Sequence, residues 1–231
     1  MSKLRLLFVK EGPAAYVSNL DLLRTVQRAF PRTELDIKHS QGFHPHPIIS
    51  IVLPLPVCQS SDCELLDFEV TQDTDGAGLA EKLNGGLPEG LRILDCYPAL
   101  RPVRELAYLR AEVELDYDRG VPEGAVQALE ELFHRQELLI EKRTKRKHCH
   151  QAFFPKRKQL AQVDIAPMIR DIAFAQEENL LRVLVTVQAQ NPGLNPQLLE
   201  KAIARYLPEL TPDFVRVRRR QLLDADGQVF R

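Results

Sequence analysis

Two imidazoles stand two residues apart in the stretch Lys38, His39, Ser40, Gln41, Gly42, Phe43, His44, Pro45, His46, Pro47. Gly takes positive φ cheaply, and each Pro fixes φ and restricts the residue before it, so residues 42–47 are expected to be stiff and extended. Alternate side chains of an extended chain share a face, which puts His44 and His46 on one side and Phe43 on the other. Neutral imidazole gives or takes a proton near pH 7. With only histidine, Ser40 and Asp21 to hand, such chemistry suits RNA backbone cleavage, where the RNA's own 2′-hydroxyl is the nucleophile. A metal site needs three or four converging ligands, and His39, Cys58 or Asp21 would have to join the pair; the spacing fixes none of them, so no metal is assigned. Two readings without chemistry stand beside these. In one, His46 is a turn residue satisfying backbone groups; in the other, the loop binds a ligand or partner. His46 and His44 are therefore catalytic candidates only, and no catalytic residue is assigned.

A second group precedes the loop. Ser18 is placed to cap a helix, with Asp21 three residues later and Arg24 at i,i+3 to Asp21. The plain reading is a cap plus an ion pair. The functional one sets the same helix N-terminus, with its free N–H groups, beside the Gly42 loop to receive an anionic group.

A third group is cationic. Residues 142–158 carry eight Lys or Arg and no acid: Lys142, Arg143, Lys145, Arg146, Lys147, Lys156, Arg157 and Lys158, with Phe153 and Phe154 among them. Cations that neutralise phosphates and rings that stack on bases are how single-stranded RNA is commonly held. Arg216, Arg218 and Arg220 alternate along an expected strand and so share one face, with Arg219 on the other. The contrary reading of residues 142–158 is a solvated linker.

Hydrophobic periodicity supplies the elements that must position these groups. Residues 3–10 read as a strand, a helix follows Ser18 and stops at Pro31, and residues 34–39, 48–53 and 63–70 read as strands. Residues 76–83 read as a short helix closed by Gly85 and Gly86, and residues 91–97 as a strand. That order, β-α-β-β-β-α-β, is a split βαβ, or ferredoxin-like, plan with an added strand. After a linker at residues 99–104 the logic repeats, with strands at 106–117, 138–142, 168–176, 180–190 and 214–220 and helices at 122–133 and 195–206. The expectation is an α+β protein of two ferredoxin-like halves with antiparallel sheets, domains 1–100 and 105–231.

The run Ser18, Leu20, Asp21, Leu22, Arg24, then Ser40, Gly42, Phe43, Pro45, His46, Pro47, then Pro54, Leu55, Pro56 resembles the radical-SAM-associated domain family of unknown function. The chain departs from that pattern at Asn19, where a His would be expected, and at His44, where an Asn would be. The resemblance implies a radical S-adenosylmethionine protein as partner. None of Cys58, Cys63, Cys96 and Cys149 falls in the closely spaced triplet that such a protein's cluster needs, so this chain is not the radical enzyme, and no cofactor is expected in it.

The expected role is a non-catalytic accessory protein that presents an RNA or ribosome-related particle to that partner. The alternatives are a metal-independent endoribonuclease and a protein–protein adaptor using residues 59–95, which carry nine acids against two bases. The 231 residues are 44% hydrophobic and 27% charged, ordinary for a soluble protein. No apolar run approaches the ~18 residues of a membrane span, and the first residues lack a signal-peptide core, so the expectation is a cytoplasmic protein that uses no membrane.

Overall fold

The computed structural model describes residues 2–144 and 159–231. Among these the fold is mixed α+β, with four α-helices and mainly antiparallel strand pairing. The chain forms two compact units, the first made of Met1–Glu112, Ala189–Asn191 and Arg216–Arg231, the second of Val113–Gln188 and Pro192–Val215.

In the first unit β1 (Ser2–Lys10) is buried from Leu4 onward, because it runs between β3 (Ser60–Val70) and β4 (Leu91–Pro98), antiparallel to both. The short β2 (Ile49–Ile51) pairs antiparallel with the far edge of β3. The strand order is therefore β4-β1-β3-β2. Helix α1 (Asn19–Ala29) buries Leu22, Val26 and Ala29, an i, i+4, i+7 stripe, and α2 (Leu79–Asn84) buries Leu79 and Leu83. Both stripes join one core with Leu4, Leu6, Phe8, Leu66, Phe68 and Ile93, in which the Phe30 and Phe68 rings lie 5.0 Å apart.

Three expectations need correction here. Residues 34–39 form no strand; their alternation is met by two single bridges, Ile37 to Val70 and His39 to Pro47, and Glu34 turns the chain at φ +60. The added strand thus disappears, leaving β-α-β-β-α-β. The linker at residues 99–104 is not the boundary, because Leu106 is buried and the Ala107 N–H donates to Leu223 O, so the chain continues in the first unit to Glu112. The C-terminal strand belongs largely to that unit as well: β10 (Phe214–Leu223) runs parallel to β3, Arg218 opposite Ser60, and the first residues of β5 (Tyr108–Asp116) lie along it.

In the second unit the end of β5 lies beside β9 (Leu180–Gln188), which pairs antiparallel with β8 (Ile169–Gln176). Helix α3 (Ala125–Phe133) packs on β8 through Phe133 and Phe174, their rings 6.1 Å apart. β6 (Leu139–Thr144) forms a separate two-stranded ladder with β7 (Gln159–Asp164), a strand that the sequence pattern did not mark. Helix α4 (Leu199–Tyr206) begins after a 3₁₀ turn at Pro196–Leu198 and buries Leu199, Ala202 and Ile203. No helix among the described residues is long and apolar enough to cross a membrane.

Candidate functional site

The Gly42 loop is closed at its base by backbone pairing. Lys38 N–H donates to Glu69 O (2.9 Å), Ile48 N–H to Lys38 O (2.8 Å) and Ser40 N–H to His46 O (2.8 Å), and His39 bridges Pro47. Residues 41–44 bend at the tip, where Gly42 sits at φ +138. The expected extended course of residues 42–47 is corrected accordingly: pairing of the two stems forces the chain to reverse, and Gly42 takes the strain at the turn.

Polar side chains face into the loop. Ser40 Oγ accepts the His46 N–H at 3.2 Å and lies 2.8 Å from His46 Nδ1, which is 3.4 Å from His44 O. Whichever ring nitrogen carries the proton, Nδ1 is committed to the loop's own groups. His39 Nδ1 donates to Ile37 O at 2.7 Å. Phe43 points the other way, fully exposed at 101%. Exposing an aromatic ring on a braced turn leaves ~150–250 Å² of apolar surface unburied, the opposite of what folding alone favours.

At the start of α1, Ser18 Oγ accepts the Asp21 N–H at 3.2 Å and its hydroxyl donates to Asp21 Oδ2 at 2.7 Å, while Arg24 Nη1 lies 3.2 Å from Asp21 Oδ1. The Ser18 hydroxyl, and then Arg24, hold the Asp21 carboxyl below its ordinary value. No hydrogen bond or ion pair among the described residues joins Ser18, Asp21 or Arg24 to the Gly42 loop. Asn19, marked in the sequence only as a departure from the family pattern, donates its Nδ2 to Leu55 O at 3.1 Å and so ties the helix start to the buried centre of Pro54, Leu55 and Pro56.

The arginines expected on one face of β10 are engaged by groups of the chain itself. Arg218 donates to Asp62 and, at 2.9 Å, to Glu11; Arg220 donates to Asp62 at 2.8 Å and to both Glu112 oxygens at 3.0 Å. Those carboxylates push the Arg218 and Arg220 guanidinium values up. Arg216 is also engaged within the chain. Asp62, Glu11 and Glu112 thus pair with Arg218 and Arg220 within the chain itself. Arg219, on the opposite face, donates to Glu64 at 2.7 Å in the interior.

Lys142 and Arg143 lie on β6, while Lys145, Arg146, Lys147, Phe153, Phe154, Lys156, Arg157 and Lys158 lie outside the described residues, as does Cys149. Burial pushes the Cys63 and Cys96 thiols up to about 12; Cys58 is exposed at φ +68. Among the described residues no three His, Cys, Asp or Glu side chains are grouped to hold a metal ion.

Residues 3–196 match the family described as uncharacterized proteins conserved in bacteria, DUF2344. The chain belongs to that family. No curated protein matches it. Among solved structures it is similar to a chain of a Cbf5-Nop10-Gar1 complex, at 13% identity and a TM-score of 0.45. That match covers 95% of this chain, which spans about half (48%) of the other. It is also similar to an unknown protein from Galdieria sulphuraria, at 11% identity and a TM-score of 0.26, covering 94% of this chain and 98% of that one. Likenesses this distant carry no argument about function.

Proposed function

We propose that the protein is a non-catalytic accessory protein of the cytoplasm, built from two ferredoxin-like halves, that docks on a radical SAM enzyme through the Gly42 loop and brings it an RNA or ribonucleoprotein substrate. Support for the architecture comes from the strand order β4-β1-β3-β2 in the first unit. The elements β5, α3, β8, β9, α4 and β10 repeat the order β1, α1, β2, β3, α2 and β4, with the β6-β7 hairpin inserted. The observation that carries the functional reading is the fully exposed Phe43 on a turn braced by Ser40 and His46. An aromatic anchor held rigidly loses little entropy on binding, which is what interface hot spots require. The choice of a radical SAM partner rests on the resemblance carried by residues 18–56.

The test uses the purified full chain and the radical SAM protein of the bacterium that encodes it. Phe43→Ala should weaken their association by at least tenfold while leaving thermal unfolding of the free chain unchanged, since the ring touches no core. Equal binding by the variant would remove the loop from the interface. A second reading is favoured by the Ser40 and His46 contact, which could orient an imidazole for RNA cleavage: RNA cut by the wild type and spared by His46→Gln would establish it in place of the first.

A further inference from the structure

Exposed cations without an acidic partner among the described residues gather around one aromatic ring of the second unit. Tyr206, the last residue of α4, is fixed by its hydroxyl, which accepts the Leu139 N–H at 3.1 Å and donates to Leu139 O at 3.3 Å. Two guanidiniums stand over the ring so held, Arg135 from the end of α3 and Arg205 from α4, each with Cζ 5.5 Å from its centroid. Lys201, one turn before Arg205 on the same face of α4, reaches Glu141 through that residue's carbonyl, at 3.4 Å. All three cations are exposed, and none makes an ion pair among the described residues. Ring attraction and the helix C-terminus each favour one cation here. Both guanidiniums nonetheless keep their charge unpaired beside Lys201, and a bound anion would offset it.

We propose that Arg135, Lys201 and Arg205, gathered on Tyr206 at the foot of the β6-β7 hairpin, form a phosphate-contacting face for single-stranded RNA. This deepens the RNA part of the proposed function and rests on it. Planar guanidiniums present paired N–H donors that match a phosphate, and those held against an aromatic ring are already oriented for it.

The experiment measures binding of the full chain to a uridine homopolymer as a function of salt. For single strands the slope of log K against log salt is about −0.7 per phosphate contact, so Arg135→Gln with Lys201→Gln and Arg205→Gln should reduce it by about 2. Arg218→Gln should leave the slope unchanged, its charge being already neutralised. Circular dichroism establishes that each variant is folded. Wild-type binding with an unchanged slope in the triple variant would overturn this face alone. No binding by the wild type at low salt would overturn the RNA part of the proposed function, and this face with it. Polyglutamate competing as well as the homopolymer would assign the face to an acidic protein instead.

Discussion

Glu64 is the residue whose loss should damage the first unit most for the smallest change in shape. Its side chain is 1% exposed, Arg219 is 4% exposed and Lys10 is 0% exposed, so Glu64 is the buried carboxylate that opposes both of these cations. Glu64 Oε1 accepts from Arg219 Nη1 at 2.7 Å, and Lys10 Nζ donates to Ala15 O at 3.2 Å. Burial pushes the Lys10 ammonium below its ordinary value, with the Glu64 carboxylate opposing the shift. Glu64→Gln keeps the volume and removes the charge, so no cavity term enters. Breaking a buried pair while leaving its partner charged costs about 3–5 kcal/mol, against about 0–1 kcal/mol for an exposed pair. At about 2–4 °C per kcal/mol for a chain of this size, Tm should fall by roughly 6–20 °C.

Urea unfolding followed by circular dichroism gives the free energy, with an unchanged m-value marking a change in stability and not in compactness. Lys10→Met supplies the second arm of a cycle. Once Glu64 is neutral, Lys10 and Arg219 only repel, so Lys10→Met should cost less in the Glu64→Gln background than in the wild type. A loss below about 1 kcal/mol for Glu64→Gln, or equal costs for Lys10→Met in both backgrounds, would refute the claim that these charges are mutually compensated in a low-dielectric interior.

Ser18→Ala should cost about 0.5–2 kcal/mol in urea unfolding, because it removes the acceptor for the Asp21 N–H; no loss would mean that Asp21 and Arg24 hold the helix end unaided. Gly90→Ala should cost roughly 1–3 kcal/mol from its φ of +84 alone, and more because a Cβ would stand 2.1 Å from Glu11 O; wild-type stability would contradict that geometry. Stability should fall as pH rises past about 9. The unfolded chain's thiols ionise there, whereas folded Cys63 and Cys96 hold their protons to about 12, so the folded state binds more protons. Between pH 8 and 10 the two thiols together should remove about 2–3 kcal/mol. Lys10 opposes this, since its folded value is lowered and its penalty lifts as pH rises toward 10.5. Replacing both cysteines with Ala should flatten the alkaline fall, and an unaltered profile would exclude the thiols as its source.

What could be seen in the sequence was whatever depends on near neighbours. The stripe Leu22, Val26, Ala29 and the cap at Ser18 follow from helical spacing, and most strands from short β-branched runs, so helices and strands emerged close to their observed places. The extended course expected for residues 42–47 missed the reversal at Gly42, because that needs Ser40 and His46 to meet across six residues. Charge partners were not legible. Asp62 lies 156 residues from Arg218, and Asp67 lies 62 residues from Arg5, whose Nε it binds at 2.6 Å inside the core. Alternation alone therefore made β10 look like a basic face. The return of β10 to the first unit was hidden for the same reason, because pairing of Arg218 with Ser60 leaves no local trace. Lys201 and Arg205 could have been paired by their i,i+4 spacing, but Arg135 joins them only through Tyr206.

The most direct test of the docking account is to place a photo-reactive phenylalanine analogue at position 43 in the living cell, irradiate, and identify what becomes attached. The account predicts one dominant adduct, to a protein carrying the closely spaced cysteine triplet of a radical SAM cluster, and no such adduct when the analogue replaces exposed Leu100. An absence of adduct at position 43, or an adduct only to proteins without that triplet, would contradict it.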